Sequence, residues 1–284
     1  MSWNFNYDSP AAIKVLLERN SLVMSKKFGQ NFLIDRHARE RLSQLVYPNE
    51  KLRIWEIGPG IGALTERLLA GGSPVTAFEI DHGFCRILRE QAFADEKGFR
   101  LVEGDFLKTW EEIFNCDGAP DVLFSNLPYN VGSVCIAKVL EAGCLPEKMV
   151  FTLQTEVAQR LAASQGSKDW SSLSMLVQAD YLPRICFSLS GSCFYPPPAV
   201  SSSVIALERR PRSLVPKDLR PVFIKTIRMI FSQKRKTLKN NLIQIEGAED
   251  KLINAGINPL LRAESLSLDQ VIRLSVEIQK TGRQ

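Results

Sequence analysis

The stretch Leu-Arg-Ile-Trp-Glu-Ile-Gly-Pro-Gly-Ile-Gly-Ala-Leu-Thr, residues 52–65, joins a short apolar run to a glycine-rich turn. The apolar run predicts a buried strand, and the segment after the turn predicts a helix. Glycines at such a turn let backbone amides approach a ligand in front of a helix N-terminus. The spacing satisfies G-x-G-x-x-A, with Glu79 downstream as an acid for ribose hydroxyls. The turn therefore predicts a site for a nucleoside-containing ligand, but it does not decide between a dinucleotide and another class of nucleoside. The structural alternative is that the glycines only allow tight packing of the strand against the helix.

The same pattern continues to residue 153, with short apolar runs alternating with amphipathic segments of helix length. This alternation predicts an α/β fold with a Rossmann-like parallel sheet covered on both faces. Two later apolar runs, Arg184–Leu189 and Ser203–Leu207, have no helix-length segment between them and predict an antiparallel pair at the far edge of the sheet. The predicted parallel strands are 52–57, 74–80, 99–102, 121–124 and 149–153.

Two further regions read as helical. Ser9-Pro10 is a helix start signal that predicts an N-terminal helix over 11–19. After Pro211 the apolar spacing predicts a small all-helical C-terminal domain over 212–284, beside a catalytic domain over 1–211. The helices predicted in the smaller domain are 221–231, 235–245, 250–255 and 268–279.

The basic charge of the chain is concentrated near its end. Residues 207–284 contain 16 Lys and Arg against 8 Asp and Glu, and no acid lies between Asp218 and Glu246. Such a patch suits a polyanion, most often nucleic acid, and a solvated helix face is the alternative interpretation.

Composition argues against several classes of protein. The six cysteines show no C-x-x-C spacing, and His37 and His82 are the only histidines, so we expect reduced thiols, no disulfide framework and no metal site. No apolar run approaches the length of a bilayer span, and the first residues do not resemble a secretion signal. We therefore expect a cytoplasmic protein with no membrane partner.

Polar residues follow three neighbouring predicted strands. Glu79 ends the second strand, Asp105 follows the third and Asn126 follows the fourth. Ligands of open α/β sheets bind at these carboxyl ends. A dehydrogenase needs a proton-transfer group there, and neither histidine lies on the right loops, which disfavours hydride chemistry. S-adenosylmethionine fits better, with Glu79 for its ribose and Asp105 for its adenine amino group.

The tetrapeptide Asn126-Leu127-Pro128-Tyr129 is by itself an ordinary turn sequence. Beside a methyl donor it gains a chemical role, because an exocyclic adenine amine is a poor nucleophile. The Asn126 side-chain oxygen and the Leu127 carbonyl would accept the two N–H bonds of that amine and direct its lone pair at the methyl group. Pro128 would fix the backbone, and Tyr129 would stack on an extruded base. Positioning would then supply most of the rate.

Taken together, the motifs resemble those of the small-subunit (16S) ribosomal RNA adenine N6,N6-dimethyltransferases. The resemblance covers about residues 8–274. Its catalytic-domain motifs are Lys27-Phe-Gly-Gln-Asn-Phe-Leu-Ile-Asp35, Gly58-Pro-Gly-Ile-Gly62, Glu79-Ile-Asp81, Glu103-Gly-Asp105, Asn126-Leu-Pro-Tyr-Asn130, Leu153-Gln-Thr-Glu-Val-Ala-Gln-Arg160 and Phe194-Tyr-Pro-Pro-Pro-Ala-Val200. Its helical-domain motifs are Phe231-Ser-Gln-Lys-Arg-Lys-Thr-Leu-Lys-Asn-Asn-Leu242 and Gly256-Ile-Asn-Pro-Leu-Leu-Arg-Ala-Glu-Ser-Leu-Ser267.

The resemblance implies a class I S-adenosylmethionine-dependent methyltransferase sheet and assigns roles residue by residue. The segment 26–35 would close over the cofactor. The implied cofactor pocket consists of Asn31, Leu33, Gly58, Gly60, Glu79, Asp105 and Asn126. The implied catalytic residues, which hold the target adenine, are Asn126, Leu127, Pro128, Tyr129 and Phe194. The implied RNA-binding residues of the helical domain are Lys234, Arg235, Lys236 and Lys239.

The resemblance also implies the reaction and its setting. A monomeric enzyme would place two methyl groups on N6 of each of two adjacent adenosines in the 3′-terminal hairpin of small-subunit rRNA. Its partner would be that rRNA within a pre-30S particle, and its role would lie in small-subunit biogenesis.

The sequence departs from the family pattern on loops near the expected target base. The departures are Val131-Gly-Ser-Val134 for a region that often holds Ser/Thr-Pro, Thr155 for a frequent Lys, His82-Gly83 for Arg-Asp, and Ala199 and Ser201 for Lys and Asp. The cofactor set is unchanged.

Two other functions use the same catalytic fold. One is a large-subunit rRNA adenine methylase of the antibiotic-resistance type, which the two helical-domain motifs disfavour. The other is a non-catalytic ribosome-assembly or nucleic-acid-binding factor, which an intact Asn126-Leu127-Pro128-Tyr129 disfavours.

Overall fold

The computed structural model describes residues 3–24, 30–127 and 131–281. Its helices are α1 Pro10–Arg19, α2 Arg36–Val46, α3 Thr65–Ala70, α4 His82–Ile87, α5 Phe106–Asp117, α6 Gly132–Glu141, α7 Thr155–Leu161, α8 Ser172–Asp180, α9 Arg220–Ile230, α10 Leu238–Asn241, α11 Ala248–Asn254 and α12 Leu268–Thr281. Its strands are β1 Phe32–Leu33, β2 Ile54–Ile57, β3 Val75–Glu79, β4 Phe99–Glu103, β5 Val122–Asn126, β6 Lys148–Gln154, β7 Tyr181–Leu189, β8 Phe194–Tyr195 and β9 Ser202–Arg209.

Seven strands form the main sheet in the order β4-β3-β2-β5-β6-β9-β7. The pairs from β4 through β6 are parallel, and β9 runs antiparallel to β6. The predicted α/β fold with a parallel sheet is confirmed, and both late apolar runs lie at the far edge as expected. The strand order changes direction between β2 and β5, which is where ligands of such sheets bind.

Successive residues of β2 contact opposite faces of this sheet. Ile54 belongs to a buried cluster with Leu42 of α2 and Leu68 of α3. The next residue, Trp55, packs edge-on against Phe78 with ring centroids 5.2 Å apart. Both faces are therefore covered, which explains why the central strands read as continuous apolar runs rather than as alternating ones.

The N-terminal helix begins where the sequence predicts. Ser9 lies in the extended region, and its hydroxyl accepts a hydrogen bond from the Ala12 N–H at 3.2 Å, while Pro10 occupies the first helical position. Ile13, Leu16 and Leu17 form the buried face of this helix. A side-chain cap and a proline at the first position are the signals that start a helix.

Two short segments far apart in sequence form a second, two-stranded sheet. Strand β1 pairs antiparallel with β8, so that Leu33 is opposite Phe194 and Phe32 is opposite Tyr195. The Ile34 N–H donates to the Cys193 carbonyl at 2.9 Å, which extends this pairing. Of the predicted segment 26–35, residues 26–29 lie outside the described residues, and residues 32–35 are joined to residues 193–195 through backbone hydrogen bonds.

The chain divides into two compact units. The first comprises Met1–Ala158 and Arg184–Glu208, and the second comprises Gln159–Pro183 and Arg209–Gln284. The sequence predicted a single break near residue 212, whereas the second unit also includes 159–183. Packing within that unit explains the inclusion, because Arg220 of α9 pairs with the buried Asp180 of α8 at 2.7 Å. The Trp170 indole also donates to the Leu266 carbonyl at 2.9 Å.

Helices α9, α11 and α12 fall close to their predicted positions, but the predicted helix over 235–245 is reduced to α10, Leu238–Asn241. Beyond α10 the apolar residues do not share one buried face, because Leu242 is 1% exposed whereas Ile243 is 79% exposed. The Asn241 side chain also donates to the Ile230 carbonyl at 2.7 Å, at the end of α9. Within the part of the chain that the structure describes, no helix is both long and apolar enough to cross a bilayer.

Candidate active site

A pocket in the first unit lies at the carboxyl ends of β2, β3 and β5. It brings together six of the seven predicted cofactor residues, namely Asn31, Leu33, Gly58, Gly60, Glu79 and Asn126. Leu127, predicted to hold the adenine, lines the same pocket. Apolar walls come from Phe32, Ile61, Ala63, Leu64, Ile80 and Phe84. A polar edge facing an apolar slot is the composition that nucleoside ligands require.

The glycine turn after β2 exposes its backbone to this pocket. Gly58 and Gly60 have φ values of +65° and +59°, which lie in the left-handed region that favours glycine. No heavy atom lies within 4 Å of a Cβ built on Gly58, whereas one built on Gly60 would lie 3.3 Å from the Phe32 ring. The turn therefore leaves space at Gly58 and needs glycine at Gly60 for both conformation and packing.

Glu79 is buried in the pocket wall, directly beside this turn. Its carboxylate accepts hydrogen bonds from the Gly60 N–H at 3.0 Å and from the Asp81 N–H at 2.9 Å. Burial raises the pKa of Glu79 to about 7, although both hydrogen bonds favour the charged form. A ligand that brings hydroxyl donors or positive charge would stabilise the ionised form of this buried carboxyl group.

Sequence reasoning assigned no role to Glu56, a second buried carboxyl group in the pocket. Its Oε2 accepts a hydrogen bond from the Thr65 hydroxyl at 2.6 Å, across the glycine turn. Burial, with a smaller contribution from the neighbouring Glu79, raises the pKa of Glu56 to about 7, although the hydrogen bond from Thr65 lowers it. Its position directly before Ile57-Gly58 was the available signal, because an acid inside an apolar strand is unusual.

Asn126 ends β5 at the edge of the pocket. Its side-chain Nδ2 donates to the Asn31 carbonyl at 3.1 Å, which links β5 to the segment that precedes β1. The adjacent Ser125 hydroxyl donates to the Ile57 carbonyl at the end of β2. Leu127 is 2% exposed. Pro128 and Tyr129 lie outside the described residues, so their predicted roles remain predictions.

Leu33 and Phe194 face each other across the small sheet and pack in one buried cluster. Phe194 is 3% exposed and does not line the pocket, so its stacking on an adenine remains a prediction.

Sequence reasoning missed Arg39, which is 3% exposed and donates to the Leu33 carbonyl at 2.7 Å. The same guanidinium pairs with Asp8, so Arg39 is held in place and in turn fixes the backbone of Leu33.

Asp105 is the predicted cofactor residue that the pocket does not include. It follows β4 and caps α5, where its side chain accepts from the Leu107 N–H at 3.0 Å. Its neighbour Glu103 instead pairs with Arg89 at 2.8 Å and with His82. The expected contact between Asp105 and an adenine amino group remains a prediction.

Two of the departures from the family pattern are neighbours in space. The Thr155 N–H donates to the Ser201 carbonyl at 3.0 Å, where β6 and β9 continue beyond their last paired residues. The Thr155 hydroxyl lies 3.0 Å from the hydroxyl of Ser203, which lies 3.4 Å from that of Ser188. Hydroxyl groups therefore replace an expected Lys and Asp together, and this keeps the local charge neutral.

The predicted RNA-binding residues lie in the second unit and differ in their contacts. Lys239 pairs with Glu249 at 2.6 Å. Lys234 donates to the Lys168 carbonyl at 2.8 Å. Arg235 and Lys236 are exposed in the turn before α10. Part of the positive charge counted in the sequence is therefore already engaged within the chain.

Metal chemistry has no candidate in the described ranges 3–24, 30–127 and 131–281, where no group of three or more His, Cys, Asp or Glu side chains is placed to hold an ion.

Comparisons with known proteins agree with this geometry. A sequence model of the ribosomal RNA adenine dimethylase family matches residues 22–280. The chain is 41% identical over 278 residues to the ribosomal RNA small subunit methyltransferase A of Treponema denticola, covering 95% of this chain and 94% of that protein. It is 33% identical over 281 residues to the protein of the same name from Streptococcus thermophilus, covering 95% and 97%.

Two solved structures share the fold. A dimethyladenosine transferase from Plasmodium falciparum superposes with a TM-score of 0.74 at 22% identity, covering 87% of this chain and 97% of that one. The 23S rRNA methyltransferase ErmE superposes with a TM-score of 0.63 at 22% identity, covering 87% and 99%.

Proposed function

The chain belongs to the ribosomal RNA adenine dimethylase family, and from this premise we infer that it dimethylates adenosines of small-subunit rRNA at N6. The single observation that carries the inference is the pocket at the ends of β2, β3 and β5, with Asn126 on its edge. The proposed targets are two adjacent adenosines in the 3′-terminal hairpin, with two methyl groups on each.

The pocket residues fit S-adenosylmethionine, which when bound supplies an activated methyl group. The open backbone at Gly58 gives room for close approach of the ligand. The buried Glu79 carboxylate would accept hydrogen bonds from the ribose hydroxyls, and Phe84 and Ile80 would border the adenine ring. Two buried acids, Glu56 and Glu79, would favour the positive charge of the donor.

Asn126 would hold the target amine. Its Nδ2 is directed at the Asn31 carbonyl, so its Oδ1 lies at the other corner of the amide and remains the acceptor for an adenine N–H. The Leu127 carbonyl would accept the second N–H. Fixing both bonds directs the nitrogen lone pair at the methyl group and supplies rate by orientation. Tyr129 and Phe194 are proposed to stack on the base.

The proposed partner is small-subunit rRNA within a pre-30S particle. We place the enzyme in the cytoplasm as a monomer, with the first unit catalytic and the second binding rRNA. The acid-free basic stretch between Asp218 and Glu246 supports the RNA-binding assignment.

The large-subunit alternative rests on a shared fold, since ErmE superposes at 22% identity. The relatives with higher sequence identity are named for the small subunit, which favours that substrate.

The decisive experiment incubates the purified protein with tritiated S-adenosylmethionine and under-methylated small subunits. The nucleosides are then mapped by mass spectrometry. We expect N6,N6-dimethyladenosine at two adjacent positions near the 3′ end of the rRNA. Label only in large-subunit rRNA would support the alternative, and absence of dimethyladenosine would refute the proposal. Under-methylated large subunits serve as the matched substrate control.

A further inference from the structure

A groove in the second unit lies between α9 and the segment that follows α10. Its floor is apolar and includes Ile224, Met229, Leu242 and Ile245. The Asn241 side chain holds the groove in shape, because its Nδ2 donates to the Ile230 carbonyl at 2.7 Å and to the Gln233 carbonyl at 3.2 Å. The groove is therefore preformed by the packing of the chain itself.

The rim of this groove is cationic and rich in amides. Lys225 and Arg228 stand one helical turn apart on α9, and both are exposed. Gln233, Asn240 and Gln244 contribute amide groups to the same lining. None of the described residues that line the groove is acidic. Such a surface complements an anion that also carries hydrogen-bonding edges.

One large apolar side chain on this rim is left in water. Ile243 is 79% exposed and belongs to the groove lining. The apolar floor and the exposed Ile243 suit the flat face of a base. The two neighbouring cations suit the charged phosphates. A base paired in a duplex would not offer its face to such a floor, whereas an unpaired base would.

We propose that this groove binds an unpaired nucleotide of rRNA outside the methylated hairpin. Lys225 and Arg228 contact the flanking phosphates, and the base lies against the apolar floor beside Ile243. The inference rests on the proposed function, because it takes rRNA as the partner. It adds a contact on residues outside the Lys234–Lys239 cluster, and thus a means of positioning the enzyme on the subunit.

The test measures binding of a fluorescein-labelled single-stranded RNA of about ten nucleotides over a range of salt concentrations. We compare the wild type with the double variant Lys225→Ala/Arg228→Ala. The matched control is Arg212→Ala/Lys217→Ala, which removes the same charge from exposed positions of the same unit outside the groove. We expect about a tenfold loss of affinity at low salt for the groove variant and a log–log salt slope shallower by about 1.4.

A second pair of variants tests the base contact. Ile243→Ala is expected to weaken single-stranded RNA binding about threefold with an unchanged salt slope, because it removes apolar area and no charge. Ile253→Ala is the control, since Ile253 is 59% exposed and lies outside the groove. Circular dichroism melting and S-adenosylmethionine binding establish that every variant is folded.

The outcomes separate the competing explanations. Equal RNA affinity for the groove variant and the wild type overturns the proposal. Equal binding of a duplex of the same sequence, equally weakened by the groove variant, overturns the assignment to an unpaired nucleotide. If the groove variant binds free RNA like the wild type but no longer binds intact small subunits, the groove contacts a ribosomal protein. That result would also overturn the proposal. These readouts do not depend on methyl transfer, so failure of the proposed function appears separately, as an inactive wild type.

Discussion

The side-chain amide of Asn126 donates a hydrogen bond to the backbone carbonyl of Asn31 at 3.1 Å. This bond joins the end of β5 to the segment before β1, and β1 is itself paired with β8. The Asn126 side chain therefore links two distant motifs directly, and the pairing of β1 with β8 adds a third. The bond also fixes which corner of the Asn126 amide is the acceptor, and this is the atom that the proposed reaction uses.

Replacing Asn126 by alanine is expected to abolish methyl transfer. The variant loses both the acceptor for the target amine and the anchor to Asn31, so we expect the single-turnover rate to fall by about 100-fold or more. The melting temperature should change little, because Asn126 is the last residue of β5 and its side chain lies at the edge of the pocket rather than in the core. Asn115→Ala, at an exposed position of α5, is the control. Wild-type transfer by Asn126→Ala would refute the assigned role.

The affinity for S-adenosylmethionine is expected to rise with pH through about 7. Burial raises the pKa of Glu79 to about 7, so its carboxyl group is mostly protonated below that value and ionised above it. The ionised form accepts hydrogen bonds from ribose hydroxyls and attracts the positive donor, and binding should therefore release protons. Calorimetric titrations in buffers of different ionisation enthalpy measure both the affinity and the proton release.

The variant Glu79→Gln tests whether Glu79 causes this dependence. We expect about a tenfold to hundredfold loss of affinity above pH 7 and a weaker dependence on pH, with Glu56 providing what remains. An unchanged pH profile in Glu79→Gln would assign the dependence to another group.

Glu56 should lower the stability of the unliganded protein at alkaline pH. Its folded-state pKa of about 7 exceeds the ordinary value of 4.5, so the folded state binds more protons between these values. The free energy of unfolding therefore falls as pH rises through this window, by about 3 kcal/mol in total. Glu56→Gln keeps an acceptor for the Thr65 hydroxyl and removes the buried charge.

We expect Glu56→Gln to raise the free energy of unfolding by about 1–3 kcal/mol at pH 8, and by much less at pH 5. Urea denaturation at both pH values measures the difference. Glu50→Gln, at an exposed position, should show no such dependence. A destabilised Glu56→Gln protein at pH 8 would mean that the carboxylate is held ionised by contacts that offset its burial.

The strands were predictable because strands that are buried on both faces appear in the sequence as continuous apolar runs. In β6, Met149–Leu153 is buried throughout, and the sequence shows an unbroken apolar character apart from Thr152. The grouping of the expected cofactor residues in one pocket was predictable for a related reason, since a parallel sheet places the carboxyl ends of its strands on one edge. Gly58 follows β2, and Glu79 and Asn126 end β3 and β5, three strands that the sequence defines well.

What the sequence could not provide are contacts that arise only after folding. The position of Arg39 on α2 gives no sign that it holds the Leu33 carbonyl, because that bond depends on how α2 packs against the small sheet. The length of α10 was overestimated, since apolar residues such as Ile243 suggested a longer buried face than the second unit offers. The inclusion of 159–183 in that unit depends likewise on the pairing of Asp180 with Arg220.

Thr155 and Ser201 should tolerate replacement by Lys and Asp better when both are replaced than when Thr155 alone is replaced. Their backbones are joined by the hydrogen bond from the Thr155 N–H to the Ser201 carbonyl, so side chains at the two positions can meet. Thr155→Lys alone loses the hydroxyl contact with Ser203 and should cost about 1 kcal/mol of unfolding free energy. Adding Ser201→Asp should restore about 0.5 kcal/mol, because Ser201 is exposed and surface pairs are weak.

Urea denaturation of both single variants and the double variant gives the coupling energy between positions 155 and 201. We expect this coupling to shrink in high salt, as for any exposed ion pair. Ser192→Asp, a change of the same charge at another exposed position of the first unit, is the control partner for Thr155→Lys and should show no coupling. Strict additivity at 155 and 201 would mean that the two departures from the family pattern are independent, despite their contact.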